Sequence, residues 1–227
     1  MFIRRHIFDD ILLDRKPKAE LKYSYKNLHV FTPSIIDRIG SLKNAGSGIL
    51  ATLPIPNPLS LEAFDSQRFL ILDGIEDLGE LGTLLRSASA FDWEAVWITH
   101  SCGDPFDPAC IRASQGALFD LPYRVGSIDN AVKHARKLTG SNRLRLNPGV
   151  RGKITIGLTA PDLSEANLET SSKNMCLLIQ RPTDNTRTFR DFALVNISTE
   201  SSMLHAPLSV TASSLMYAIR DRYFKPS

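Results

Sequence analysis

The segment at residues 72–91, LDGIEDLGELGTLLRSASAF, joins an apolar run to an amphipathic stretch and decides the fold class. The run that leads into it, residues 69–72, is uninterrupted by polar residues, as expected of a strand covered on both faces of a sheet. Within the segment, apolar residues recur at the spacing of a helix: Leu81, Leu84, Leu85 and Ala88. The segment therefore predicts a buried strand followed by a helix that packs on it.

The same alternation continues along the chain. Further apolar runs, bounded by Gly, Asp, Pro or Asn, predict strands at residues 95–99, 154–158, 176–180 and 192–197. Helices are predicted at residues 108–118, which begin with proline in a first-turn position, and at residues 208–219. Strands that alternate with helices are typical of an α/β fold with a mainly parallel sheet.

Residues 1–60 have a different pattern. Their apolar patches are short, and charged or glycine-bearing stretches separate them. The segment ends in Pro54, Pro56 and Pro58, which predict a linker. About 60 residues of this kind are marginal as an independent core. We therefore predict an N-terminal arm or partial domain at residues 1–60 and an α/β domain at residues 61–227.

The overall composition is that of a folded soluble protein. Of 227 residues, 43% are hydrophobic and 22% are charged. No run approaches the roughly 18 apolar residues that a membrane-spanning helix requires, so we expect no membrane partner. The net charge of +3 is too small to indicate a polyanionic partner by itself.

Positive charge is concentrated between residues 133 and 153. This stretch has no Asp or Glu and seven basic residues: Lys133, Arg136, Lys137, Arg143, Arg145, Arg151 and Lys153. Such cations would neutralise backbone phosphates of RNA and give a salt-dependent affinity that is largely independent of sequence. A solvated helix face followed by a loop has the same composition, so the charge pattern alone leaves both interpretations open.

The cysteines and histidines predict neither a disulfide scaffold nor a metal site. Cys102, Cys110 and Cys176 form no CxxC pair, and the five histidines are scattered singly. Cys110 and Cys176 lie in apolar surroundings and are expected to be packing residues rather than nucleophiles. A reducing intracellular compartment follows from this cysteine usage.

The N-terminus leaves the compartment open. It carries two early arginines, as an organellar transit peptide does, but also acidic residues that such peptides avoid: Asp9, Asp10 and Asp14. Cytoplasmic, mitochondrial and plastid locations all remain compatible with it.

Residues 72–91, together with DPFDPACIRASQGALFDLP at residues 104–122, resemble the SpoU/TrmH class of the SPOUT superfamily of RNA 2′-O-ribose methyltransferases. The first motif of that class reads approximately LD-x-[IV]-x-DPGNLGT-[IL]-[IL]-R-[ST]-A-x-AFG, and the later segment reads DP[FY]-x-P-x-x-[IV]RAS-x-GA-x-[FL]-x-LP. LSVTASSLMYAI at residues 208–219 is similar to the third motif, SLNVSVAAAI, and GSGILATLPIP at residues 46–56 is similar to the segment upstream of the catalytic domain.

This resemblance implies an α/β domain whose C-terminal chain threads a loop to form a trefoil knot, a rare exception to un-knotted topology. It implies S-adenosylmethionine as the cofactor and methylation of a ribose 2′-hydroxyl in ribosomal or transfer RNA. It also implies a dimer, with a second copy or with a related subunit, in which the final helix takes part. Residues 1–45 would be a shortened N-terminal RNA-binding domain.

The resemblance also assigns roles to individual residues. Arg86 matches the first-motif arginine, which acts at the target ribose and phosphate; because arginine holds its proton so firmly, phosphate positioning is the safer role and proton abstraction the bolder one. Arg112 matches the RAS segment and is a candidate RNA contact. Glu80 and Ser209 stand at catalytic positions where the class has asparagine. The residues that would line the cofactor are Ile179, Gln180, Ile197, Ser198 and Leu208.

The motifs depart from the class pattern at several positions. DPGN is DLGE here, so that Leu78 replaces the proline and Glu80 brings a carboxylate, which we expect to pair with Arg86 and neutralise it. The glycine-bearing GSExxG expected after residue 179 is replaced by QRPTDNTRTF, through which the backbone cannot approach a ligand as closely. Ser198 stands where the class has proline.

Two functions of different kinds are compatible with these residues. The first is an active RNA 2′-O-ribose methyltransferase that uses S-adenosylmethionine. The second is a catalytically degenerate member of the class that binds RNA or acts as a ribosome-assembly subunit. Affinity for S-adenosylmethionine discriminates between them.

Overall fold

In the computed structural model, the described residues are 7–16, 24–39, 49–139, 143–146, 174–181, 189, 192–195 and 207–223. The chain divides into two compact units, Met1–Pro56 and Asn57–Ser227.

The first unit contains a small mixed sheet. Its strands are β1 (Ile7–Leu13), β2 (Ser24–Val30) and β3 (Ile49–Thr52), in the order β2-β1-β3. Strand β1 pairs in parallel with β2 and antiparallel with β3. Helix α1 (Pro33–Ile39) follows β2 and buries Ile36. The apolar centre of the sheet is small, consisting of Phe8, Ile11 and Leu13 with Tyr25 and Leu53 against them.

The second unit contains a parallel sheet of six described strands in the order β6-β5-β4-β8-β7-β9. Every pairing between its neighbouring strands is parallel, which confirms the α/β prediction. Its elements in chain order are β4 (Arg68–Asp73), α2 (Leu78–Ala90), β5 (Ala95–Thr99), α3 (Pro108–Ser114), β6 (Tyr123–Gly126), α4 (Ile128–Leu138), β7 (Arg143–Leu146), β8 (Met175–Gln180), β9 (Ala193–Val195) and α5 (Leu208–Tyr223).

Helices cover both faces of this sheet. Successive side chains of each strand point to opposite faces, so the strands contribute to two separate apolar clusters. On one face, Leu70, Leu72 and Ile179 pack with α2, α3 and α5 in a cluster that we call the α2/α5 core. On the other face, Phe69 and Ile71 pack with Phe64 and α4 in a second cluster, the α4 core. Burial on both faces explains why β4, β5 and β8 are uninterrupted apolar runs in the sequence.

Helix α2 begins at Leu78 because Asp77 caps it. The Asp77 side chain accepts a hydrogen bond from the backbone N of Glu80 at 2.7 Å. Glu80 is the third helical residue, where the helix dipole favours a carboxylate. Leu78, which replaces the proline of the class motif, takes the first helical position and packs against the α2/α5 core. The loss of the proline therefore leaves the start of the helix intact.

The strands predicted at residues 69–72, 95–99 and 176–180 are confirmed to within one residue at each end, and the strand predicted at 192–197 is confirmed at Ala193–Val195. The predicted helix at 108–118 is wrong beyond Ser114, because Gln115 and Gly116 both adopt left-handed conformations and a short 3₁₀ turn follows at Ala117–Phe119. Strands β6 and β7 and helix α4 were not predicted. The predicted strand at 154–158 lies outside the described residues.

Candidate active site at the carboxyl edge of the sheet

The carboxyl ends of β4, β5 and β8 meet at one edge of the sheet, beside the start of α2. In open α/β sheets this edge is where ligands bind. The register pairs Asp73, the last residue of β4, with Gln180, the last residue of β8. Thr99 is the last residue of the neighbouring strand β5. Three strands thus deliver a polar side chain to the same edge.

Asp73 connects these three strands through hydrogen bonds. Its Oδ1 accepts bonds from the hydroxyl of Thr99 at 2.7 Å and from the hydroxyl of Ser101 at 2.8 Å. Its Oδ2 accepts a bond from Nε2 of Gln180 at 2.7 Å. Its backbone oxygen accepts from the backbone N of Arg181 at 3.0 Å. Asp73 therefore bonds to the ends of both neighbouring strands, β5 and β8.

Gln180 is only 3% exposed. Its Nε2 is bound to Asp73, but its Oε1 is buried and has no hydrogen-bond partner among the residues that the structure describes. Most buried polar atoms in proteins are paired, so an orphaned acceptor at the ligand-binding edge needs an explanation.

Glu80 is a second organising group at this edge. Its carboxylate forms an ion pair with Arg181, and its Oε1 accepts a hydrogen bond from the backbone N of Ser209 at 3.3 Å. The Glu80 side chain is 10% exposed and that of Arg181 is 46% exposed. Glu80 thus joins three segments: the start of α2, the residue after β8 and the start of α5.

The predicted pairing of Glu80 with Arg86 is wrong. Arg86 lies six residues after Glu80 on α2, and six residues at 100° each turn it to another side of the helix. Arg86 is exposed, and within the described residues no ion pair or hydrogen bond to it is found. Its charge is therefore available at the surface, as the role implied by the class motif requires.

Next to Glu80 lies an open cleft of about 550 Å³. The start of α2, Arg181 and the start of α5 line it. Its charged side chains are the acids Glu76, Asp77 and Glu80 and the single base Arg181. Gly79 and Thr83 also line the cleft, whereas Arg86 is not among its described lining residues. Within the described residues the wall of this cleft is therefore acidic.

The predicted cofactor residues fall into two groups. Ile179 is fully buried in the α2/α5 core, so a ligand could reach it only through its backbone. Gln180 lies at the sheet edge, and Leu208, at the start of α5, packs against the same core. Ile197 and Ser198 lie outside the described residues.

The structure divides the predicted RNA-contact residues. Lys133, Arg136 and Lys137 are exposed on α4, and Arg112 is exposed on α3. Arg143 and Arg145 belong to β7, which lies between β8 and β9 inside the sheet, and Arg143 is only partly exposed. Arg151 and Lys153 lie outside the described residues. Among the described residues of the basic stretch, the exposed part is α4.

Sequence reasoning missed Asp73, Thr99 and Arg181. One signal could have found them: each is the last residue of a predicted strand or lies within a few residues of its end, and parallel strands bring such ends to one edge. Hydroxyl and carboxylate side chains at or directly after the end of a predicted strand are thus candidate site residues.

Cys110 and Cys176 are buried packing residues, as predicted. Burial raises the pKa of Cys110 to about 12 and that of Cys176 well above its usual range, so both remain neutral thiols. Cys102 lies near Asp73, and its Sγ donates to the backbone oxygen of Leu72 at 3.3 Å. Burial raises its pKa as well.

The described part of the chain contains no group of three or more His, Cys, Asp or Glu side chains arranged to hold a metal ion. It also contains no helix with the length and apolar character needed to cross a membrane.

Comparison with known proteins agrees with this geometry. The model of the SpoU rRNA Methylase family matches residues 67–155, which run from the start of β4 past β7. Residues 67–155 are thus similar to a SpoU-class domain. The resemblance to the SpoU/TrmH class is thereby confirmed.

This chain is similar to rRNA methyltransferase 3A, mitochondrial, of Danio rerio, with 31% identity over 118 residues, which are 50% of this chain and 26% of the relative. The chain spans less than half the length of this and other curated relatives that it matches. The sequence likeness is therefore confined to part of each relative.

Solved structures share the fold. The AdoMet-bound rRNA methyltransferase from Sinorhizobium meliloti has a TM-score of 0.69 at 18% identity, covering 97% of this chain and 81% of that one. A structure described as an RNA 2′-O ribose methyltransferase has a TM-score of 0.66 at 21% identity, covering 95% and 81%.

Proposed function

We propose that this chain is an RNA-binding protein of the SpoU/TrmH class that methylates a ribose 2′-hydroxyl of ribosomal or transfer RNA with S-adenosylmethionine. The observation that carries the proposal is the family match over residues 67–155, the segment that supplies β4 and β5 with Asp73 and Thr99 at the carboxyl edge of the sheet. The solved neighbour with bound AdoMet supports the choice of cofactor.

The described residues fit this cofactor at one point. S-adenosylmethionine carries N–H donors, and the orphaned Oε1 of Gln180 is a buried acceptor at the ligand-binding edge. When bound, the cofactor supplies an activated methyl group. Gln180 and Leu208 would hold it together with the backbone of Ile179, and Ile197 and Ser198 are proposed to complete the site.

Arg86 is proposed to hold a phosphate of the RNA beside the target ribose. It is exposed on α2, and a guanidinium can bind two phosphate oxygens at once. Transfer of tritiated methyl groups from S-adenosylmethionine to transcribed rRNA or tRNA tests the activity. We expect Arg86→Ala to lower the rate about 100-fold, as loss of substrate positioning does, and Arg86→Lys to retain part of it. An unchanged rate in Arg86→Ala would contradict this role.

Helix α4 is proposed as an RNA-binding surface through Lys133, Arg136 and Lys137. Each phosphate contact contributes about 0.7–0.9 to the slope of log affinity against log salt. Reversal of all three charges to glutamate should weaken RNA binding and reduce that slope by about 2. The matched control keeps the charges, with Lys133→Arg, Arg136→Lys and Lys137→Arg, and should bind as the unaltered chain does. An unchanged slope after reversal would show that α4 is only solvated surface.

The ion pair of Glu80 with Arg181 favours a second candidate function, that of a degenerate class member that binds RNA without turnover. It places two charged side chains at positions where the class has asparagine and a glycine-bearing segment, and it ties the three motif segments together. Isothermal titration with S-adenosylmethionine separates the candidates. Micromolar affinity supports the enzyme, whereas affinity in the millimolar range or none supports the RNA-binding subunit.

Dimerisation is proposed through α5. This helix exposes Val210 at 46% and Tyr217 at 51%, which is a high exposure for large apolar side chains. Light scattering after size exclusion should show a dimer, and Val210→Glu with Tyr217→Glu should shift it to a monomer. A monomeric unaltered chain would remove this proposal and favour a related subunit as the partner.

The remaining parts of the proposal concern residues 1–60 and the C-terminal topology. Residues 1–60 are proposed to contribute to RNA binding, and the chain after β8 is proposed to thread the knot. A reducing intracellular compartment is proposed, either the cytoplasm or an organelle; the mitochondrial relative is compatible with an organelle.

A further inference from the structure

The carboxylate of Asp73 determines how the amide of Gln180 is turned. Oδ2 of Asp73 accepts from Nε2 of Gln180, while Oδ1 accepts from Thr99 and Ser101. An ionised carboxylate can accept hydrogen bonds but cannot donate them. The NH₂ end of the Gln180 amide must therefore face Asp73, and its carbonyl Oε1 must be presented in the other direction.

The presented atom is a buried acceptor. Gln180 is only 3% exposed, and within the described part of the chain its Oε1 has no hydrogen-bond partner. The site is built rather than accidental, because the amide that carries Oε1 is anchored by a charged group whose other oxygen is also bonded. A buried acceptor without a donor is unfavourable in the free protein, and a ligand that brings an N–H to it recovers that cost.

We propose that Gln180 Oε1 is a specificity-determining acceptor for an N–H group of the cofactor, and that Asp73 is the positioning residue that presents it. This inference rests on the proposed function. S-adenosylmethionine offers such a group in two places, the exocyclic amine of its adenine and its α-ammonium, and either has the required chemistry. Asp73 itself does not touch the cofactor.

The substitution Asp73→Asn tests the positioning role directly. An asparagine at this position can turn its own NH₂ toward Gln180, whose amide then rotates so that Oε1 accepts from it. The acceptor that the cofactor needs is consumed, although the Gln180 side chain is still present. Gln180→Met removes the amide and keeps the length of the side chain. Ser101→Ala is the matched control, because it removes a different hydrogen bond to Asp73.

Binding is measured by isothermal titration with S-adenosylhomocysteine, which retains both N–H groups and cannot react. We expect Asp73→Asn and Gln180→Met each to weaken binding about tenfold, the double variant to lose no more than either single variant, and Ser101→Ala to bind within about twofold of the unaltered chain. Additive losses in the double variant would contradict the positioning role of Asp73.

Two analogues tested on the unaltered chain identify the group and do not depend on any variant folding. Replacing the adenine amine with a carbonyl oxygen gives S-inosylhomocysteine, and replacing the α-amino group with hydrogen gives the desamino analogue. The analogue that lacks the recognised N–H should bind about tenfold more weakly. Equal binding of both analogues and S-adenosylhomocysteine would overturn the inference.

A readout in the ligand-free protein tests the anchoring of the amide. The side-chain NH₂ resonances of Gln180 should exchange slowly with solvent and shift in Asp73→Asn, whereas a freely rotating amide would contradict the anchoring. The outcomes also separate the two proposals. If the unaltered chain does not bind S-adenosylhomocysteine, the proposed enzyme and this inference both fall; if it binds and Gln180→Met binds equally well, only this inference falls.

Discussion

Gly82 of α2 packs directly on Ala113 of α3. A Cβ atom built at Gly82 would lie 2.6 Å from the Cβ of Ala113, 2.6 Å from the backbone oxygen of Cys110 and 2.8 Å from the backbone N of Ser114. Two of these three neighbours are backbone atoms, which cannot rotate away. The close approach of α2 and α3 thus depends on the missing side chain.

We expect Gly82→Ala to destabilise the protein by about 1–3 kcal/mol, the usual cost of overpacking. The matched control is Gly79→Ala on the same helix, whose Cβ would meet only Oδ1 of Asp77 at 3.3 Å and which should change stability by less than about 1 kcal/mol. Urea unfolding followed by circular dichroism measures both. Equal stabilities of the two variants would show that α2 and α3 separate at little cost.

The ion pair between Glu80 and Arg181 should contribute measurably to stability, because the Glu80 carboxylate is only 10% exposed. A double-mutant cycle with Glu80→Gln and Arg181→Met should give a coupling free energy of about 1 kcal/mol. The control cycle uses Asp92→Asn and Arg220→Met, whose ion pair is 56% and 42% exposed and should couple by less than about 0.5 kcal/mol. Equal couplings would mean that burial of Glu80 does not strengthen its pair.

Stability should fall as pH rises above about 9 because of Cys110. Burial raises the pKa of this thiol from 9.0 to about 12, so between these values the unfolded chain loses a proton that the folded chain keeps. The unfolded state then binds fewer protons, and the free energy of unfolding decreases with pH. Unfolding midpoints from pH 8 to 10.5 measure the slope. Cys110→Ala should make this decrease of stability with pH shallower. An unchanged slope would show that Cys110 is not its cause.

Stability should also fall as pH drops below about 6.5, because of His134. Burial lowers the pKa of this imidazole, whose Nε2 donates to the backbone oxygen of Phe64 at 2.7 Å. Below the unfolded pKa of 6.5 the unfolded chain binds a proton that the folded chain does not, which favours unfolding by at most about 1.4 kcal/mol per pH unit. His134→Gln, which keeps a donor for Phe64, should flatten this dependence between pH 7 and 5.5. If the stability of His134→Gln depends on pH as steeply as that of the unaltered chain, His134 is not the cause.

Hydrophobic pattern alone predicted the strands that are buried on both faces. Strands β4, β5 and β8 are continuous apolar runs because helices cover both sides of them, and this burial requires apolar residues at every position. Strand β7 was not predicted because its sequence, RLRL, alternates basic and apolar residues, and we interpreted its arginines as part of a surface. Only the pairing of β7 with β8 and β9 shows that these arginines belong to the sheet.

The candidate site shows the same division. The motif at residues 72–91 predicted the helix that follows β4 and singled out Arg86 on it, because helical periodicity is local and depends on residues three or four positions apart. The partner of Glu80 could not be predicted, because Arg181 lies 101 residues further along the chain. Proximity in the sequence suggested Arg86, and helix geometry excludes it.

The order of residues by itself determined the α/β class, the resemblance to the SpoU/TrmH class and the positions of α2 and α5, since these follow from local periodicity and from motifs read along the chain. The tertiary structure alone decided that Asp73, Thr99 and Gln180 share one hydrogen-bonded edge and that Glu80 holds Arg181 and Ser209. The physical reason is that parallel pairing joins strands distant in the sequence, so the register between them, and not their spacing along the chain, sets which polar side chains meet.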